Sequence, residues 1–160
     1  MNRSHLVPRI ALLADHTQAM PALQRLFEAE WPDYYGEQGP GDAAADLAAY
    51  ALRDGLPLGV VALLDDDEVV GIAALKAASI DAYPQFTPWA AAGLVAPQWR
   101  GRGIGAHLIA ALEGHAMRLG HRAIYAGTAT AGSLMRRLGW EYLDTTPQHG
   151  VSVAVFRKRL

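Results

Sequence analysis

The spacing of apolar and polar positions predicts a chain of short strands and helices. Residues 9–14 are an apolar run that suits a first strand. Asp15 or Thr17 is placed to cap a helix reaching about Glu30, because Ala19, Leu23, Leu26 and Phe27 keep helical spacing. Pro21 falls in its first turn, where proline is tolerated, and Trp31-Pro32 ends it. Residues 34–41, with three glycines and a proline, read as a loop. Asp42 then caps a second helix over residues 43–54. Residues 57–64 and 68–76 read as two strands joined by the acidic turn Asp65-Asp66-Asp67.

Residues 79–88 read as a loop. Residues 89–96 form a strand that is apolar throughout, and so is expected to be buried on both faces. A glycine-rich turn at 98–105 opens an amphipathic helix over 103–119, with Ile104, Leu108, Ala111, Leu112, His115 and Leu119 on one side and Gly120 as its stop. Residues 122–126 are a strand, and 131–138 a short helix closed by Gly139. Residues 140–145 and 151–157 are two final strands. The order is β-α-α-β-β-β-α-β-α-β-β. Hairpins imply antiparallel pairing early on, and the strand–helix–strand unit over 89–126 implies one parallel pair. The expectation is a single-domain mixed α/β sheet over residues 1–160.

Composition narrows the class. At 160 residues with 51% hydrophobic residues, the chain can bury a core without staples. It has no cysteine, which excludes a disulfide framework, an iron–sulfur site, a thiolate zinc site and a cysteine nucleophile. Thirty alanines blur the periodicity, so glycine, proline and β-branched residues carry the boundaries. No apolar run approaches a membrane span, and residues 1–9 lack a signal-peptide core. Leu6-Val7-Pro8-Arg9 resembles a tag-protease site, but it runs into strand-like sequence and reads as native. A cytoplasmic protein that spans no membrane is expected.

The net charge of −2 hides a division. Residues 1–97 carry 5 Lys+Arg against 13 Asp+Glu, a sum of −8, whereas residues 98–160 carry 9 against 3, a sum of +6. Binding to nucleic acid along the whole chain does not fit this balance, and an anion site confined to the second half does.

The glycine-rich turn is Gln98-Trp99-Arg100-Gly101-Arg102-Gly103-Ile104-Gly105-Ala106. Between a strand and a helix, it offers free backbone N–H groups and the positive end of the helix dipole to an anion. Its glycines let the backbone approach phosphate closely, and Arg100 and Arg102 add charge. No Gly-Lys-Ser/Thr follows, so it is not a Walker A loop, and the third glycine comes too early for a dinucleotide fingerprint.

This segment resembles the Q/R-x-x-G-x-G/A signature of the GNAT superfamily of N-acyltransferases, with Arg100, Gly103 and Gly105 in the signature places. Gly93-Leu94-Val95-Ala96-Pro97 resembles that family's central strand. Ala131-Gly132-Ser133-Leu134-Met135-Arg136-Arg137-Leu138-Gly139-Trp140 resembles its A-x-x-F-Y-x-x-x-G-F segment. The resemblance implies acetyl-CoA as acyl donor and co-substrate, with no metal. It implies that backbone amides over Arg102, Gly103, Ile104, Gly105 and Ala106, with Arg100 and Gly101 in the same turn, hold the pyrophosphate. Backbone groups of Leu94, Val95 and Ala96 would hold the pantetheine, one amide polarising the thioester carbonyl. The family's usual C-terminal Tyr, placed to protonate the leaving thiolate, falls here on Met135, and Leu134 replaces the preceding Phe. Tyr125, Tyr142, a water or no residue at all could serve instead.

The same resemblance implies an acceptor site lined by the loop between the first two helices. Glu30, Trp31, Asp33, Tyr34 and Tyr35 there could hold a cationic amine through rings and carboxylates. Trp89, in the aromatic stretch Tyr83-Pro84-Gln85-Phe86-Thr87-Pro88-Trp89, could shape that pocket or only cap the sheet. Glu30, Asp33, Tyr34, Tyr35, Asp81 and His149 are candidate general bases. His107 and His115 stand eight residues apart, which is not metal-ligand spacing, and Asp65-Asp66-Asp67-Glu68 lacks a calcium-loop pattern.

The expected function is acetyl transfer from acetyl-CoA to a primary amine of a small molecule, by direct attack in a ternary complex. Three rivals stand beside it: a protein or peptide N-acetyltransferase, a catalytically silent acyl-CoA sensor, and a plain phosphate binder. The apolar C-terminal strands are candidates to pair between chains in a homodimer.

Overall fold

The apolar runs pair into one seven-stranded sheet, described in the computed structural model over residues 7–160. The N-terminal reading over residues 1–6 lies outside the described residues. Strands β1 (Arg9–Leu12), β2 (Leu58–Leu63), β3 (Val69–Lys76), β4 (Trp89–Val95), β5 (Ala123–Thr128), β6 (Glu141–Gln148) and β7 (Val151–Arg159) lie in the order β1-β2-β3-β4-β5-β7-β6. Every pair is antiparallel except β4–β5. That parallel pair is joined by α4 (Ile104–Arg118), which packs Ile104, Leu108, Leu112 and Ala116 on the sheet. The face of α4 is turned slightly from the expected one, burying Ala116 and leaving His115 half-exposed. On the opposite face α1 (Met20–Glu30) and α3 (Ala43–Ala49) bury Leu23, Phe27 and Leu47 against Val61, Leu63 and Ile72. The last helix, α5 (Gly132–Arg137), buries Met135 beside Phe156 and Trp140.

Several punctuation residues act as their chemistry dictates. Asp42 accepts the Ala45 amide at 3.0 Å and starts α3. Gly120 and Gly139, at φ +91° and +84°, close α4 and α5 in the left-handed region that favours glycine.

The differences from expectation have local causes. The first strand ends at Leu12, two tight turns follow, and α1 begins only at Met20. No side chain caps α1; Asp15 instead pairs with Arg53. Residues expected to be loop form the single turn α2 (Pro32–Tyr35), started by proline. The helix α3 stops at Ala49 because the chain turns extended there: Tyr50 O accepts the Gly59 amide at 2.7 Å and Ala51 bridges to Leu58. The C-terminal strands start within one residue of expectation and run on two or three residues further, and β6, the sheet edge, is largely exposed. Among the described residues no helix is long and apolar enough to cross a membrane.

The central strand departs most from expectation. It is not buried on both faces: Trp89 and Leu94 are buried, Ala90, Ala91 and Ala92 are half-buried, and Gly93 is exposed. The cause is its partner. The strand β5 pairs with β4 only at Trp89↔Tyr125 and Ala90↔Ala126, and beyond Ala90 the two have no registered pair.

Candidate active site

Where β4 and β5 part, the β5-facing edge of residues 91–95 has no strand partner among the described residues, so it faces the gap. A bulge adds to this. Ile72 stands opposite Leu94 and Ala74 opposite Ala91, so β4 carries one extra residue over β3. Ala92 sits at φ +53°, a strained position for a residue with a Cβ.

The gap opens into three adjoining cavities. The outer one, about 430 Å³, lies against Val95, Trp99, Arg100, Gly101, Gly103, Ile104, Gly105, Ala106, Leu134, Arg137 and Leu138. The middle one, about 370 Å³, is shared between Gly93, Leu94, Val95 and Arg100 on one side and Thr130, Ala131 and Leu134 on the other. The inner one, about 500 Å³, runs from Glu30 and Trp31 past Ala90–Gly93 to Thr128 and Met135. Neighbouring cavities share walls at Val95, Arg100, Gly105 and Leu134, and then at Glu30, Gly93 and Thr130, so they lie side by side along the gap, together called the channel.

At its outer end the glycine turn takes a conformation that needs glycine. Gly101 and Gly103 lie at φ +75° and +82° with open space where a Cβ would stand, so backbone torsion rather than crowding is the constraint. They aim the first turn of α4 at the cavity, and the amides of that turn have no intrahelical acceptor.

The two arginines of the turn are differently employed. Arg100 donates from Nε to Val95 O at 2.9 Å and from Nη2 to the Glu30 carboxylate at 2.7 Å. Arg102, expected in the anion site, instead lies over the Trp99 ring at 5.0 Å and is not among the cavity's lining residues. A third arginine was missed in the sequence: Arg137, in the last turn of α5, lines the outer cavity. Ala96, expected to bind through its backbone, gives its amide to Val70 O at 2.8 Å and is buried, whereas Gly93 lines the middle cavity.

At the inner end, Glu30 is the one carboxylate on the lining, and Trp31 stands beside it. The other acceptor-side residues fall differently. Tyr34 is 51% exposed and Asp33 is exposed, and neither lines the channel. Tyr35 packs on Phe27 and donates its hydroxyl to Asp46 at 2.6 Å. Burial, then that carboxylate, raises its pKa so far that it stays a neutral phenol, which removes it as a base. Tyr50 beside it is pushed up to about 12, chiefly by burial.

Trp89 is fully buried and donates from Nε1 to Phe86 O at 2.7 Å, so it packs the core beneath residues 79–88 rather than shaping an acceptor pocket. Tyr125 stacks on Phe86 at 4.2 Å, and Tyr142 bonds Thr145 on the exposed edge strand; neither lines the channel. Asp81 and His149 face each other at 4.0 Å near the exposed turn between β6 and β7, again off the channel. Met135 does line the inner cavity, 3% exposed.

The sheet is splayed at its one parallel pair, with a glycine turn at the mouth of the gap. The chain belongs to the acetyltransferase (GNAT) family, whose family model matches residues 22–140. No curated protein sequence matches it. Among solved structures it is similar to the aminoglycoside 6′-N-acetyltransferase from Enterococcus faecium (17% identity, TM-score 0.74, covering 94% of this chain and 96% of that one). It is also similar to a GNAT superfamily phosphinothricin acetyltransferase from Sinorhizobium meliloti in complex with acetyl-CoA (23% identity, TM-score 0.71, covering 97% and 89%). An aminoglycoside 6′-N-acetyltransferase complexed with coenzyme A is similar at 17% identity and TM-score 0.73, covering 94% and 96%. At these identities the likeness is one of fold.

Proposed function

We propose that this protein is an acetyl-CoA-dependent N-acetyltransferase that acetylates a primary amine of a small molecule, acting as one domain over residues 1–160. The carrying observation is the row of adjoining cavities from the glycine turn, along the unpaired edge of β4, to Glu30 and Trp31. Its two ends differ in chemistry in the way the two substrates do. The outer end offers helix-N-terminal amides with Arg137 nearby, which suits a pyrophosphate. The middle offers the edge of β4 that β5 leaves unpaired beyond Ala90, which suits the amides of a pantetheine arm. The inner end offers a carboxylate and an indole, which suit an amine.

Acetyl-CoA supplies the activated acyl group as a thioester. With no cysteine in the chain, an acyl-cysteine intermediate is excluded, which supports direct attack by the amine. The protein's contribution is mainly to hold the two together in line. Freed amides of the bulged β4 segment stabilise negative charge growing on the carbonyl oxygen. Glu30 receives the proton that the amine nitrogen must lose, directly or through a water.

The test is thiol release from acetyl-CoA against a panel of amino sugars, polyamines, amino acids and peptides. Release that depends on a small amine supports the reading. Tight coenzyme binding with no amine-dependent release across the panel favours an acyl-CoA sensor. Turnover of peptides alone moves the acceptor class.

A further inference from the structure

The channel lacks a proton donor where the family resemblance expects a tyrosine, because a methionine thioether has no hydrogen to give. Among the lining residues of the inner cavity, the side chains that carry a donor hydrogen at neutral pH are Trp31, Thr128 and Thr130. Trp31 stands with Glu30 at the acceptor wall. The two threonines stand on the wall that carries Met135.

The threonines differ in how they are held. Thr128 ends β5, opposite Ala154 on β7. Its Oγ1 accepts the Ala131 amide at 2.8 Å and the Thr130 amide at 3.2 Å. Those bonds use the acceptor capacity of the hydroxyl, and among the described residues nothing in the protein takes its hydrogen. An oxygen that accepts two bonds is a stronger donor, and a β-branched side chain in a strand keeps its rotamer. Thr130 is exposed, and no hydrogen bond fixes its side chain among the described residues.

We infer that the Thr128 hydroxyl donates a hydrogen bond to the sulfur of coenzyme A as it leaves, the task Met135 cannot perform. The inference rests on the proposed acetyl transfer. In that step the amine lone pair forms the C–N bond, and the C–S bond breaks with its electron pair passing to sulfur. One proton leaves the nitrogen for Glu30 or water, and the sulfur later takes one proton from solvent. Thr128 keeps its own proton throughout and stabilises the negative charge on sulfur by hydrogen bonding.

The test reads the sulfur directly and needs no knowledge of the acceptor. Coenzyme A is bound to the protein and its thiolate ultraviolet absorbance is followed against pH, with the desulfo-coenzyme complex subtracted. Thr128→Val is expected to raise the pKa of the bound thiol by about one unit, the scale of a hydrogen bond to a charged group. Thr128→Ser is expected to keep the wild-type value, as is Thr130→Val. In turnover, Thr128→Val is expected to lose roughly tenfold in kcat with little change in KM for acetyl-CoA. A loosened α5 would not shift the thiol in that way. Should Thr128→Val not fold, Thr128→Ala, which likewise brings no hydrogen and no charge, is expected to raise the thiol pKa by the same amount. An unaltered thiol pKa in these variants, or a shift in Thr130→Val instead, overturns the inference alone. A wild-type protein that does not bind coenzyme A overturns the proposed function and this inference with it.

Discussion

The Arg100 guanidinium and the Glu30 carboxylate meet at 2.7 Å, one from the glycine turn and the other from the end of α1. They join the part of the chain rich in basic residues to the part rich in acidic ones, at the middle of the channel. Because Arg100 also holds Val95 O through Nε, its planar fork spans the turn, β4 and α1 at once. Its task is therefore geometric as well as electrostatic. Arg100→Lys keeps the charge and loses the fork, so it is expected to weaken coenzyme A binding several-fold in calorimetry. A charge acting only at a distance would leave the affinity unchanged.

Trp89 provides the opposite case, an aromatic residue expected at the acceptor and found in the core. Trp89→Phe removes the bond to Phe86 O and leaves a cavity. It is expected to cost about 1–3 kcal/mol in denaturant unfolding. The acceptor KM is expected to stay at the wild-type value. A raised KM at unchanged stability would return Trp89 to the acceptor site.

Gly103 sits at φ +82° with open space around a would-be Cβ, so alanine there meets only torsional strain. Gly103→Ala is expected to destabilise the protein by roughly 1–2 kcal/mol and to weaken coenzyme binding as the amides turn away. Gly103→Asn, a residue that enters this region more readily, is expected to do less harm on both measures. Greater harm from Gly103→Asn than from Gly103→Ala would show that bulk, not torsion, sets the requirement.

His115 gives the stability a pH dependence. Burial first, and then the neighbouring Arg118, lower its pKa below the ordinary 6.5. The unfolded chain therefore binds the proton more readily than the folded one. This contribution is present above pH 6.5 and is lost as pH falls through the lower folded value. Chemical denaturation followed from pH 7.5 to 5 is expected to show this loss of stability, reduced in His115→Gln. An identical slope in the variant would place the effect elsewhere.

Features fixed by local chemistry could be read from the chain. The Asp42 cap, the Gly120 and Gly139 stops and the glycine turn each follow from residues within one turn of the event. The parallel pair followed from its strand–helix–strand order. What could not be read depends on distant partners. Nothing in Trp89-Ala90-Ala91-Ala92-Gly93 reveals that β5 leaves after Ala90, because small side chains suit a buried strand and an open edge equally. The Arg100–Glu30 bond joins residues far apart in sequence. Arg137 and Thr128 carry no signal of their own, because a helix-end arginine and a strand-end threonine are ordinary in sequence; only the fold brings them to the channel wall. Alternation between Arg102, which stacks on Trp99, and Arg100, which does not, is likewise decided by packing.

In the proposed function the open edge of β4 holds the pantetheine arm of coenzyme A. Calorimetry with coenzyme A and with adenosine 3′-phosphate 5′-diphosphate, which keeps all three phosphates but lacks that arm, separates the two contributions. Two or more backbone hydrogen bonds along residues 91–95 are expected to make coenzyme A at least about tenfold tighter. Equal affinity for the two ligands would contradict the account and leave only a phosphate site at the glycine turn.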